Sequence, residues 1–237
     1  MLSNLLLSAS LLNSDLVYVG GATAQGTYEC TVSLTSLTGG IGTAAIAGDV
    51  VIIFTANTTT STREYYNHAT TNNPVTYTSL VNINSNDTYP SFLRVGHRTM
   101  PSTPDTVVRA SIGTITTESM VGIVSVWRNM GGIDVTTTTA TGINSRIANP
   151  PAITPTTTGS IIIAAGAGGL SGTGYFASAS GLTNFKQQAR NSTYDISLGA
   201  GNYEDWISGA YDPAAFTLSG TDNTSNSWCA CTIAIKP

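Results

Sequence analysis

Formal charge is what this chain has least of. Its 237 residues include nine Lys or Arg and thirteen Asp or Glu, 9% of the total, with a net charge of −4 and a pI near 4.9. A folded monomer of 24.5 kDa exposes on the order of 10,000 Å², so roughly one formal charge falls on every 450 Å². With only two lysines, Lys186 and Lys236, no phosphate-neutralising stripe can form, which excludes nucleic acid as a partner. No run of about 18 apolar residues exists either, so no helix is expected to span a bilayer and no membrane partner is expected.

Cysteine and histidine are also scarce. Cys30, Cys229 and Cys231 cannot all pair within one chain. Cys229 and Cys231 would share one face of a strand. A bridge from Cys30 to either stays open, beside the simpler reading of three small buried apolar side chains. His68 and His97 stand in no metal-ligand spacing, so neither a metal nor any other cofactor is expected. His97 alternates with Val95 in a strand-like run and reads as structural.

Catalytic patterns are missing in turn. Gly-x-Ser-x-Gly has no match, the nearest strings being Gly169-Leu170-Ser171-Gly172 and Gly166-Ala167-Gly168-Gly169, and no phosphate-cradling Gly-Lys-Ser/Thr exists. Glycosidases need two carboxyl groups across a cleft. Glu204-Asp205-Trp206 beside Tyr203 is the one acidic and aromatic cluster, and adjacent carboxylates on a strand point to opposite faces. Asn82, Asn84, Asn86 and Asp87 could offer oxygens to calcium, but only one is charged and such strings are common in turns. No enzyme is expected.

What the chain has is Thr, Ser and Asn, 80 positions in all, and apolar residues at 41%. The apolar fraction suffices for a core. Gly and Thr recur between β-branched and aromatic runs, and helical periodicity is almost absent, the pattern of an all-β domain. Strands are expected at 28–37, 49–56, 75–83, 92–100, 106–112, 120–128, 160–167, 184–190, 195–198, 215–218 and 227–236, which fits a two-sheet antiparallel sandwich.

There is a faint internal echo. Gly48-Asp49-Val50-Val51-Ile52-Ile53-Phe54 and Gly159-Ser160-Ile161-Ile162-Ile163-Ala164-Ala165 each join a glycine and a polar residue to a continuous apolar run. Each is followed by a second apolar strand, Val121 to Trp127 and Trp228 to Ile235. Continuous apolar runs mean strands covered on both faces, and two matched halves giving central strands to one sandwich is the simplest account. Between them, Thr136 to Gly142 and the proline-rich 149–155 read as a long crossover lying on the sandwich through Ile143, Ile147 and Ile153.

Two groups of residues remain. Leu5, Leu6, Leu11 and Leu12 lie in a leucine-rich start that resembles a secretory leader, with Ala22-Thr23-Ala24 like a cleavage site. No basic residue precedes Arg63, so residues 1–14 read instead as an amphipathic segment docking on this chain or a neighbour. Tyr65, Tyr66, Tyr203, Trp206 and Tyr211 lie in or near polar loops, where aromatic rings contact sugars, neighbouring subunits or the sandwich edge.

The strings 48–54, Val124-Ser125-Val126-Trp127-Arg128-Asn129-Met130-Gly131-Gly132-Ile133-Asp134, 151–163 and Ser227 to Pro237 resemble a jelly-roll module of tailed-bacteriophage structural proteins, over about residues 40–237. The resemblance implies a lectin-like sandwich in a virion, with no catalytic residues. Residues 1–40 fall outside it and are expected to form an attachment segment before a 41–237 jelly-roll domain. The expected function is a non-enzymatic virion surface protein, a head decoration or tail or fibre component. Its partners would be capsid or tail proteins and further copies of itself as a homo-oligomer. The alternative is an adhesin that binds host glycans.

Overall fold

β-Branched and aromatic runs fold into strands throughout. The computed structural model describes residues 15–58, 66–69, 77–87, 90–111, 118–143, 147–170, 175–176, 179–190, 195–219 and 227–237. Among these there is no helix, and every strand pairing is antiparallel. The chain is an all-β sandwich.

The first half contains β1 (Val17–Thr27), β2 (Glu29–Ser33), β3 (Val50–Thr58), β4 (Tyr66–Ala69), β5 (Thr78–Asn84), β6 (Ser91–Thr99), β7 (Val107–Ser111) and β8 (Ser119–Arg128). The short β9 (Gly132–Ile133) follows. The second half contains β10 (Thr138–Gly142), β11 (Ile147–Ala148), β12 (Ile161–Leu170), β13 (Tyr175–Phe176), β14 (Thr183–Arg190), β15 (Asp195–Tyr203), β16 (Phe216–Ser219) and β17 (Trp228–Lys236). All eleven expected strands are present, with shifted ends. β1 is not anticipated by its glycine-interrupted sequence, because pairing along its length with β8, from Val17↔Arg128 to Thr27↔Ser119, outweighs weak local propensity.

Each half builds its own sheets. One large sheet runs β1-β8-β3-β6-β5 and the other β10-β17-β12-β15-β14, with β9 also on β17. The two pack face to face over Ile52, Phe54, Leu93, Ile123 and Trp127 on one side and Ile163, Leu198, Cys231, Ile233 and Ile235 on the other. Three-stranded sheets, β2-β7-β4 and β11-β16-β13, complete the architecture. Val32 and Val108 pack on the outer face of the first large sheet against Val51, Ile53, Val124 and Val126. Ala148 and Phe216 pack likewise on Ala164 and Ala230 of the second. Layers on both sides explain why β3 is buried at every residue.

The structure therefore refines the expected two-sheet sandwich to four layers. It also corrects the boundary at residue 40, because 17–33 form two integral strands. The division within the chain falls at 129–131, since Thr138–Gly142, expected in the crossover, is a strand of the second sheet. Ile153 packs as expected, but Ile143 and Ile147 are about half exposed (50% and 46%).

The echo in the sequence is a full structural repeat. Adding nine to every strand number of the first half gives the strand orders of the second, in the large sheets and the small sheets alike. β5 and β14 each carry a register shift against β6 and β15 just after the equivalent pairs Thr78↔His97 and Thr183↔Asn202. Gly48 and Gly159, one residue before equivalent positions, have φ of 85° and 82°, a conformation that favours glycine.

Matched pairs Val50↔Trp127 and Ile161↔Ile235 make Thr58 the counterpart of Gly169. The two meet across the contact between the halves, since a Cβ at Gly169 would lie 3.0 Å from Thr58 Cγ2. β1 lies over β14 and, equivalently, β5 over β10. The halves are thus related by a pseudo-two-fold axis running along the strands.

One consequence is polarity. Asp15 and Pro237 lie at one end of the axis, with the 34–49 and 204–215 loops: Asp15 accepts a hydrogen bond from Asn129 Nδ2 (3.1 Å), and Lys236 O accepts one from Gly131 N (2.8 Å). At the far end, Ser91 binds Ser227 across the halves and Thr27 accepts from Arg190 Nη2 (2.6 Å).

Candidate functional site

The aromatic cluster proposed from sequence lies at the terminal end. Tyr203 closes β15, and the loop returns Tyr211 onto it with ring centroids 4.3 Å apart and planes 13° from parallel. Two backbone hydrogen bonds between Ile153 and Tyr211, 2.9 and 2.8 Å, fix the return. Behind the rings lie Ile153, Ile162 and Ala234, so the pair caps the outer face of the second large sheet. Burial, and secondarily Tyr203, raises the Tyr211 hydroxyl above its ordinary pKa. Trp206 donates its Nε1–H to Gly209 O of the same loop at 3.0 Å and is partly buried, whereas the neighbouring Ile207 is 85% exposed.

Glu204 is engaged rather than poised. Its Oε1 accepts from Asn202 Nδ2 (2.6 Å), Asn184 Nδ2 (2.8 Å) and, more weakly, Thr183 Oγ1 (3.4 Å). Beside it a narrow notch is lined by Tyr18, Phe54, Ser125, Asn184, Lys186 and Asn202. Its enclosed volume of about 10 Å³ is the space of one water, too small for a sugar ring. Burial, with a smaller contribution from Glu204, pushes the Tyr18 hydroxyl up to about 12.

The hydroxyl cluster at the far end has the hydrogen bonding of a structural lock. Ser91 Oγ donates to Ser227 O (2.8 Å) and accepts from Gly169 N (2.7 Å), while Ser91 N donates to Ser85 Oγ (2.8 Å). Ser85, Ser91 and Ser227 are all buried. Their bonds tie the first half to β12 and β17 rather than presenting a nucleophile.

The remaining expected site residues divide. Tyr66 begins β4, paired with Ser111 at the far end, so it is not grouped with Tyr203, Trp206 and Tyr211. Tyr65, Leu5, Leu6, Leu11 and Leu12 lie outside the described residues, as do the side chain of Tyr66 and that of His68. Asn82 and Asn84 fall on the edge strand β5 rather than in a calcium-holding loop. The three cysteines are buried free thiols; Cys30 packs in a cluster with Ala110 and Met120, apart from Cys229 and Cys231 between the large sheets. Burial lowers the pKa of His97.

Sequence reasoning missed the exposed apolar side chains at the terminal end, Ile41 (66%), Ile46 (50%) and Ile207. Ile41 and Ile46 belong to a segment, 34–48, without a single charged residue, which was the available signal.

Comparison with protein-family models, with curated proteins and with solved structures gave no match for this chain.

Proposed function

We propose that the chain is a non-enzymatic surface subunit of a virus particle, of the tailed-bacteriophage kind, seated on its neighbours by its terminal end. The observation that carries this reading is polarity. The exit of residues 1–14 at Asp15, the exposed Ile41, Ile46 and Ile207, and the ring cluster of Tyr203, Trp206 and Tyr211 all belong to the same end. Ile41 and Ile46 on the uncharged 34–48 segment suit the core of a subunit contact, with Ile207, beside Glu204 and Asp205, at its rim. The strand order β1-β8-β3-β6 against β2-β7-β4, repeated in the second half, supports reading each half as a jelly roll.

The test is made in the particle. Removing residues 2–14, or changing Ile207→Glu together with Ile41→Glu, should lower the copies per particle, counted by quantitative mass spectrometry. Purified variants should melt as the parent does. Unchanged copy number in both variants would sink the reading. Glycan recognition is the competing use of the ring cluster. A half-buried Trp206 whose indole N–H is already satisfied favours the subunit contact, so a glycan array of the purified chain should be flat. Binding that disappears in Trp206→Ala would transfer the cluster to an adhesin.

A further inference from the structure

The repeat carries an inference that does not depend on the virion reading. We infer that the chain is a covalently joined dimer: each half is one copy of the same eight-stranded unit, and the inner face of each large sheet is an interaction surface whose fitting partner is a second copy of that unit.

Four independent features meet here. Strand order repeats through sixteen strands in both sheet types. The register shifts in β5 and β14 fall at equivalent pairs. Gly48 and Gly159 share one left-handed conformation. Finally, the halves contact each other isologously: β1 meets β14 as β10 meets β5, β8 meets β15 as β17 meets β6, and Thr58 meets its own counterpart at the axis. An isologous contact is what a two-fold dimer has; two unrelated domains in one chain have no reason to obey it.

The surface has specialised since it became internal. Trp127, Phe54 and Ile123 of the first half correspond to Ile235, Ala165 and Cys231 of the second, so bulk is concentrated on one side. Polar groups hold the relative placement of the halves. Ser91 binds Ser227 at the far end, Thr23 Oγ1 donates to Gln188 Oε1 (2.8 Å) midway, and Lys186 Nζ donates to Thr38 Oγ1 (3.1 Å) towards the terminal end.

Asp15, the midpoint and the C-terminal residues converge, since Asn129 bonds Asp15 and Gly131 bonds Lys236. The order of the halves can therefore be exchanged in the full chain. A circular permutant opened between Asn129 and Met130, with Pro237 joined to Met1 by a short Gly/Ser bridge so that every residue is kept, should elute as the parent does and melt within about 4 °C of it. A control permutant opened between Ile207 and Ser208, in a more exposed loop at the same end but inside one unit, should melt lower by about 10 °C or more. As a second measurement, the native-order chain receives a protease site between Asn129 and Met130. Once cut, its two pieces should remain a 1:1 complex by native mass spectrometry. Equal melting of the two permutants, failure of the half-exchanged permutant to fold, or separation of the cut pieces would each overturn the inference.

Discussion

Asp134 is a carboxylate held by four hydrogen bonds. It receives the backbone N–H groups of Thr156 (2.6 Å) and Thr157 (3.1 Å) and both threonine hydroxyls, pinning the segment after β9 to the loop before β12. Burial alone would raise its pKa, but the four hydrogen bonds outweigh this and hold it at about 2 against an ordinary 3.8. A depressed carboxylate contributes stability above its unfolded pKa and loses it as pH falls through the folded one. Asp134→Asn should therefore cost about 1–2 kcal/mol at pH 7. It should also flatten the loss of stability between pH 4 and pH 2, read by urea unfolding at each pH. Asp49 and Arg128 form the other informative pair, at 2.8 and 3.0 Å, where the second half has Ser160 and Lys236. Asp49 is buried, while a third of the Arg128 side chain is exposed. Arg128→Leu should cost about 2–3 kcal/mol, less than a fully buried pair would. Neither role was legible beforehand, since both depend on partners 22 and 79 residues away in the chain.

Among the elements, β3, β8, β12 and β17 were legible because sheets covered on both faces demand continuous apolar runs. β1 was not, for the reason its glycines give. The outer face of β12 shows a finer constraint. A Cβ at Gly166 would lie 2.9 Å from Phe216 Cδ2 and 3.0 Å from Ala148 Cβ, so the absence of a side chain there is what seats the small sheet. Gly166→Ala should destabilise by about 1–3 kcal/mol, and Phe216→Leu in that background should recover part of the loss, measured by denaturant midpoint. In the sequence, Gly166 falls in the expected strand 160–167, but nothing there marks it as the seat of the small sheet. The ring cluster was legible as residues but not as a contact, because the Ile153–Tyr211 bridge that folds it back joins segments 58 residues apart.

At the scale of the molecule, three ion pairs are present among the described residues, and only Arg109–Glu29 is substantially exposed. Packing and backbone ladders therefore dominate, and raising NaCl from about 0.05 to 1 M should move the melting temperature by no more than about 3 °C, as calorimetry would register. The two-fold relation was only half visible in sequence. Register, bulges and glycine conformation survive in both halves, whereas the interface side chains have diverged, as Trp127 facing the role of Ile235 illustrates. Symmetry of backbone can outlast symmetry of residues because a strand order is fixed by many pairings and a side chain by few contacts.

Consecutive halves also impose a schedule on synthesis. The first large sheet is complete once Arg128 has been made, but the sheet that covers it closes only with β17, about a hundred residues later. At roughly 5–20 residues per second, the face bearing Phe54 and Trp127 waits on the order of 5–20 s without its cover. During that interval neighbouring nascent chains offer one another the same bare surface. The face it is matched to, bearing Ala165, Cys231 and Ile235, arrives last.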